Sequence, residues 1–112
     1  MLPPPGVEND IEWRRITVEI ERYDGSVVTS GATLAYETVS EVARDSGGVA
    51  IEQLSIGDIG YRYRFTEAEV TVAVARGNVV VRVEAESRGN VSRRDAAATQ
   101  LAKGILEQIE FV

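Results

Sequence analysis

The run from Glu69 to Glu86, EVTVAVARGNVVVRVEAE, constrains the fold more than any other stretch. Two alternating apolar segments flank Gly77-Asn78, a two-residue loop of the kind that closes β-hairpins because Gly tolerates φ > 0. Such a loop sets Arg76 opposite Val79, Val74 opposite Val81, Val72 opposite Val83 and Val70 opposite Ala85. A slip of one residue would turn both valine sets to the wrong side of the sheet, so the alternation itself specifies the register.

Around this hairpin the chain reads in order. Pro3-Pro4-Pro5-Gly6 favours polyproline II, so residues 1–9 are expected to be an extended lead-in or tether, with the natural chain longer at this end. Ile16, Val18 and Ile20 then alternate with Thr17, Glu19 and Glu21, the period of a half-buried strand over Ile11 to Tyr23. Ile11 and Trp13 fall in the other phase, which predicts a β-bulge or break at Arg14-Arg15. Asp24-Gly25 ends this strand. Val28, Ala32, Ala35, Val39 and Val42 follow at helical spacing, so a helix is expected from about residue 30, with Ser30 as N-cap and Gly47-Gly48 as stop. A helix start as early as Ser26, or a short strand at Val27-Val28-Thr29, are the alternatives.

Val49 to Ile56 reads as a short strand or extended connection, Gly57 to Gly60 as a turn, and Tyr61, Tyr63 and Phe65 as one face of the next strand. A tight loop near Glu67-Ala68 would set Phe65 opposite Val70, Tyr63 opposite Val72 and Tyr61 opposite Val74. Three strands would then share one apolar face. Ser92 with Asp95 resembles a capping box, and Ala98, Leu101, Ala102, Ile105, Ile109 and Val112 form the stripe of a closing helix. About 18 residues at roughly 1.5 Å rise span about 27 Å, enough to cross a sheet diagonally. The expected fold class is therefore α+β. It is read as a two-layer arrangement in the order β-α-β-β-β-β-α, with an antiparallel sheet covered on one face by two helices, and residues 10–112 forming one domain.

Several functions are excluded or disfavoured by residue content. The chain has no Cys and no His, so disulfide scaffolds, Cys/His zinc sites and Ser-His or Cys-His nucleophiles are ruled out. Its net charge of -6 argues against a nucleic-acid partner, which calls for a cationic surface. No apolar run reaches the roughly 18 residues that span a bilayer. Neither a cofactor nor a metal is expected.

The outer face of the hairpin holds the leading candidate binding residues: Glu69, Arg82, Glu84 and Glu86, with Arg64 beside them on the neighbouring strand. Glu69 opposite Glu86 is unfavourable without solvent or a cation nearby. Three readings stay open: a solvated charge ladder, a hard-cation site, or a carboxylate pair for hydrolysis. Tyr61, Tyr63 and Phe65 are either core or the lining of a pocket between sheet and closing helix. Trp13 and Tyr23 are either packed or part of a contact surface. Ala73, Ala75 and Val80 make a small apolar strip on the outer face, where a second sheet could approach.

The segments RYDGSVVTSGATLAYETVSEVARDSGG, IGDIGYRYRF, VARGNVVVRVEAES and DAAATQLAKGILEQI together resemble small bacterial envelope lipoproteins of the actinobacterial type. They also resemble the extracellular sensor domains of bacterial serine/threonine kinases. The likeness covers about residues 22–109 and lies in turns, strands and caps, so no functional residue carries over. The cysteines that sensor domains place in disulfides are missing here. The resemblance implies an envelope-exposed binding or interaction module held off a membrane by a tether. With no His, no Cys and no convergent polar motif, the expectation is a non-catalytic binding or sensing domain that recognises a protein or small molecule. A cytoplasmic protein, a sheet-assembled homo-oligomer and a carboxylate-based hydrolase are the alternatives.

Overall fold

The computed structural model describes residues 11–25, 30–45, 50–66, 68–89 and 91–109. The Pro-rich lead-in and the Val27-Thr29 alternative lie outside the described residues. The elements are β1 (Ile11–Arg22), α1 (Gly31–Asp45), β2 (Ala50–Leu54), β3 (Ile59–Thr66), β4 (Glu69–Arg76), β5 (Val79–Gly89) and α2 (Val91–Gln108). The fold is α+β with one antiparallel five-stranded sheet in the order β1-β5-β4-β3-β2.

The β4–β5 register runs from Glu69↔Glu86 through Val72↔Val83 to Arg76↔Val79, as the alternation demands. Gly77 has φ 55°, while among the described residues none other than glycine has positive φ. That is the signature of a type II′ loop, with Gly at the first central position. Asp58 steadies the loop from the side: its Oδ2 accepts from the Gly77 N–H at 2.8 Å, and its own N–H donates to the Ala75 carbonyl at 2.7 Å. On β1 the pairing shifts between Trp13 and Arg15, where the phase change predicted a bulge.

The helices lie on opposite faces of the sheet, which corrects the expectation that both would cover one face. Ala98, Ala102 and Leu106 of α2 pack with Val70, Val72, Val74, Val79, Val81 and Val83. Ala35 and Val39 of α1 pack instead with Ile59, Ala73, Ala75 and Val80. Alternation in a strand makes these two sets point in opposite directions. Each of the six valines is essentially fully buried and contributes about 1.5–3 kcal/mol through burial. The supposed open strip of Ala73, Ala75 and Val80 is therefore the seat of α1. Two alanines there leave room for a helix to approach closely.

The β3–β4 pairing brings a second correction. Tyr61 opposes Ala73 and Tyr63 opposes Thr71, one residue out from the expected register, because the pairing shifts between Tyr63 and Thr66. One inserted residue turns every side chain upstream of it to the other face. Tyr61 and Tyr63 thus lie on the α1 side, and Arg62 and Arg64 on the α2 side. The side chain of Phe65 lies outside the described residues.

Helix starts follow from local chemistry. Ser30 caps α1, its Oγ accepting from the Thr33 N–H at 3.1 Å. Gly31 sits where a Cβ would lie 2.2 Å from the Tyr23 carbonyl oxygen, so α1 can dock on the end of β1 only through a glycine. The same corner joins β1 to the hairpin loop: the Tyr23 N–H donates to the Asn78 carbonyl at 2.8 Å, and Asn78 Nδ2 donates back to the Tyr23 carbonyl at 3.2 Å. Helix α2 begins at Val91, so Ser92 falls inside its first turn and not at the cap.

Two glycine substitutions are expected to act with opposite sign. Gly31→Ala drives a methyl into backbone and should lower unfolding free energy by about 1–3 kcal/mol. Gly104→Ala, with nothing within 4 Å of the added Cβ, should raise it by about 0.5–1 kcal/mol through helix propensity. Urea denaturation of both variants measures the difference.

Candidate ligand cleft on the α1 face

Helix α1 covers the part of its face near the Gly77-Asn78 loop and leaves the far end open. There a cleft of about 200 Å³ is lined by Arg15, Tyr63, Glu69, Thr71, Glu84 and Glu86, with Val70 and Ala85 beneath. The alternation of β4 and β5 points Glu69, Thr71, Glu84 and Glu86 to this side, and the β3 bulge adds Tyr63. Of the expected outer-face residues, Glu69, Glu84 and Glu86 are brought together here.

The opposition of Glu69 and Glu86 is relieved by Arg15, whose Nη2 lies 2.9 Å from Glu86 Oε2. Arg82 borders the cleft on the same face and pairs with Glu19 at 3.3 Å. Its Nε is buried with no hydrogen-bond partner among the described residues. The carboxylates of Glu69 and Glu84 make no ion pair or side-chain hydrogen bond among the described residues. Tyr63 is 7% exposed and forms the floor. Burial pushes its phenol above the ordinary value of 10.0, with the nearby Glu84 adding to this and Arg82 and the Thr71 hydroxyl opposing it. Tyr23, at the α1 end, is also raised, chiefly because its hydroxyl donates to Glu21 Oε2 at 2.6 Å.

Arg64 does not belong to this cleft. It lies on the α2 side, its Nε 3.7 Å from Asp95 Oδ2, while Arg94 donates to Asp95 Oδ1 from Nε at 3.1 Å and from Nη2 at 3.0 Å. Arg94 is 1% exposed, so this ion cluster is structural glue between α2 and the sheet. Arg62 acts likewise, donating to Thr99 Oγ1 at 3.0 Å and pairing with Glu52 at 2.8 Å. Tyr61 packs beside α1 and lines no part of the cleft.

Sequence reasoning missed Arg15 as a cleft residue, although its place at the phase switch of β1 was visible. It also had no signal for the β3 bulge that carries Tyr63 across. Among the described residues, no three carboxylates converge as a metal site. No helix among them is long and apolar enough to cross a membrane. Set against models of protein families, curated proteins and solved structures, the chain matches none.

Two measurements probe this geometry. Asp95→Asn removes the carboxylate that compensates a buried guanidinium and should cost about 3 kcal/mol in urea denaturation. Tyr63 gives a pH signature. Below the unfolded tyrosine value of 10.0 both states keep the phenol proton, and above it the unfolded chain releases the proton first. Stability should therefore fall as pH rises past 10, and Tyr63→Phe should flatten part of that fall, leaving the share due to Tyr23.

Proposed function

We propose that this chain is a non-catalytic binding domain that takes a cationic group, an amine or a Lys- or Arg-bearing peptide segment, in the cleft over Tyr63. The observation that carries this reading is the pair of carboxylates, Glu69 and Glu84, that have no ion-pair or hydrogen-bond partner among the described residues and lie beside a buried aromatic ring. A cation lowers the repulsion between these acids and gains from the ring face. The same negative charge repels phosphate backbones, so no nucleic acid is proposed. Arg82, with its buried Nε, borders the site and holds Glu19 away from it.

An envelope-exposed, extracytoplasmic setting is part of the proposal. It rests on the resemblance of residues 22–109 to envelope lipoproteins and kinase sensor domains. A sensing role follows if ligand occupancy is transmitted along a tether, which the Pro-rich lead-in would supply.

Calorimetric titration with a short oligolysine peptide tests the cleft. Binding is expected at low ionic strength, weakened by salt and reduced at least about tenfold in Glu69→Gln and in Glu84→Gln. An oligoglutamate peptide should give no heat. Equal binding by the Gln variants, or none by the parent chain, would sink the reading. A hydrolytic activity abolished by Glu69→Gln or Glu86→Gln would replace it with the carboxylate-enzyme alternative.

A further inference from the structure

Strand β1 is an edge of the sheet and the longest strand in it, with 11 of its 12 residues paired on one side to β5 and Arg14 skipped at the bulge. Among the described residues nothing pairs with its outer side, so a row of main-chain N–H and C=O groups is open there. On the α2 face this strand carries Trp13, Ile16, Val18 and Ile20, exposed by 40, 49, 41 and 54%. Their phase is that of the core, since Ile16, Val18 and Ile20 oppose Ala85, Val83 and Val81. They are open because α2 packs over β5 and β4 and stops short of the edge.

Leu101, 38% exposed, continues the patch. It follows Thr99, which contacts Arg62 of β3, by two residues and so by about 200° around the helix, which turns it toward β1. Together these side chains present on the order of 400 Å² of apolar surface, the size at which a patch marks an interaction site.

The other face of β1 says what fits. It carries Arg15, Thr17, Glu19 and Glu21, basic at one end and acidic at the other. We propose that the occupant of this edge is a second copy of the chain, with β1 pairing antiparallel to β1 about a two-fold axis through Val18.

In that register Val18 meets Val18, Ile16 meets Ile20 and Thr17 meets Glu19. Arg15 of each copy meets Glu21 of the other. Between Arg15 and Glu21 apolar side chains pair on one face and opposite charges on the other, which is what stabilises cross-strand neighbours, while Arg14, at the bulge, meets Arg22 as a like charge just outside this stretch. The neighbouring registers fail. An axis through Glu19 sets that acid against itself and Ile16 against Arg22, and an axis through Thr17 sets Ile20 against Arg14 beside the bulge. Odd offsets set Glu19 against Val18 or against Ile16.

Charges that guard the edge against other strands thus select this one. The contact is isologous and closes at two copies, joining two five-stranded sheets into one of ten strands. Arg15 keeps its bond to Glu86, since its side chain is 68% exposed and a guanidinium has five N–H donors. The dimer also brings Glu21 of the second copy to the rim of the cleft.

One strand pair and one apolar stripe make a small interface, for which a dissociation constant on the order of 10 μM is expected. Sedimentation velocity over a range from low micromolar to near millimolar tests this. The parent chain should pass from monomer to dimer. Arg15→Glu and Glu21→Arg should each weaken the dimer at least about tenfold through like charges at both ends of the pair. The double variant Arg15→Glu/Glu21→Arg should restore it, because the complementarity is only reversed. Val18→Lys should abolish it by setting two ammonium groups on the axis. A monomer at every concentration, assembly beyond two copies, or a dimer indifferent to the single reversals would overturn the proposal.

Discussion

The structure depends on a strict two-residue alternation in two adjacent central strands that are buried on both faces. Within β4 every residue from Val70 to Ala75 is buried, and β5 repeats this over Val79 to Val81. Side chains on opposite faces cannot be served by one layer of helix. The valines of one face need α2, the alanines and Val80 of the other need α1, and the chain supplies one helix on each side of the meander. Helix α1 leads from β1 at one edge to β2 at the other, while α2 folds back after β5 over the valines.

Neither helix covers its whole face, and the two uncovered areas differ in character. On the α1 side the far end of the hairpin is polar, with Glu69, Glu84 and Glu86 around Tyr63. On the α2 side the uncovered area is the apolar stripe of β1. A sheet five strands wide is broader than one helix, so a single helix per face must leave some of it bare. The acidic area can stay bare because water solvates its carboxylates and Arg15 pairs with Glu86. The apolar area suits a strand, since its main chain is open at the edge.

Arginines divide the work between the faces. Arg62, Arg64 and Arg94 tie α2 to the sheet, while Arg15 and Arg82 neutralise acids on the opposite face. That division follows from the single bulge between Tyr63 and Thr66. Without it Arg62 and Arg64 would join Glu84 and Glu86, and the cleft would lose its negative character.

Much of the fold was legible because it is encoded locally. The Gly77-Asn78 loop and the valine alternation set the hairpin register, the phase change at Arg14-Arg15 set the β1 bulge, and Ser30 set the start of α1. These depend on backbone sterics, side-chain period and one hydrogen bond, all within a few residues. Double burial of β4 did not follow from the alternation, which reads as one covered face and one open one, although Val70 to Ala75 contains no charge, a pattern that suits a strand covered on both faces. What only the tertiary structure decided was coverage and face. The β3 bulge has no local residue signal, yet it moved Tyr63 into the cleft and Arg64 out of it. Likewise, an alternating strand reads the same whether a helix lies over it or not. Ile16, Val18 and Ile20 have the pattern of a core and lie in the open because long-range packing, not periodicity, decides where α2 ends.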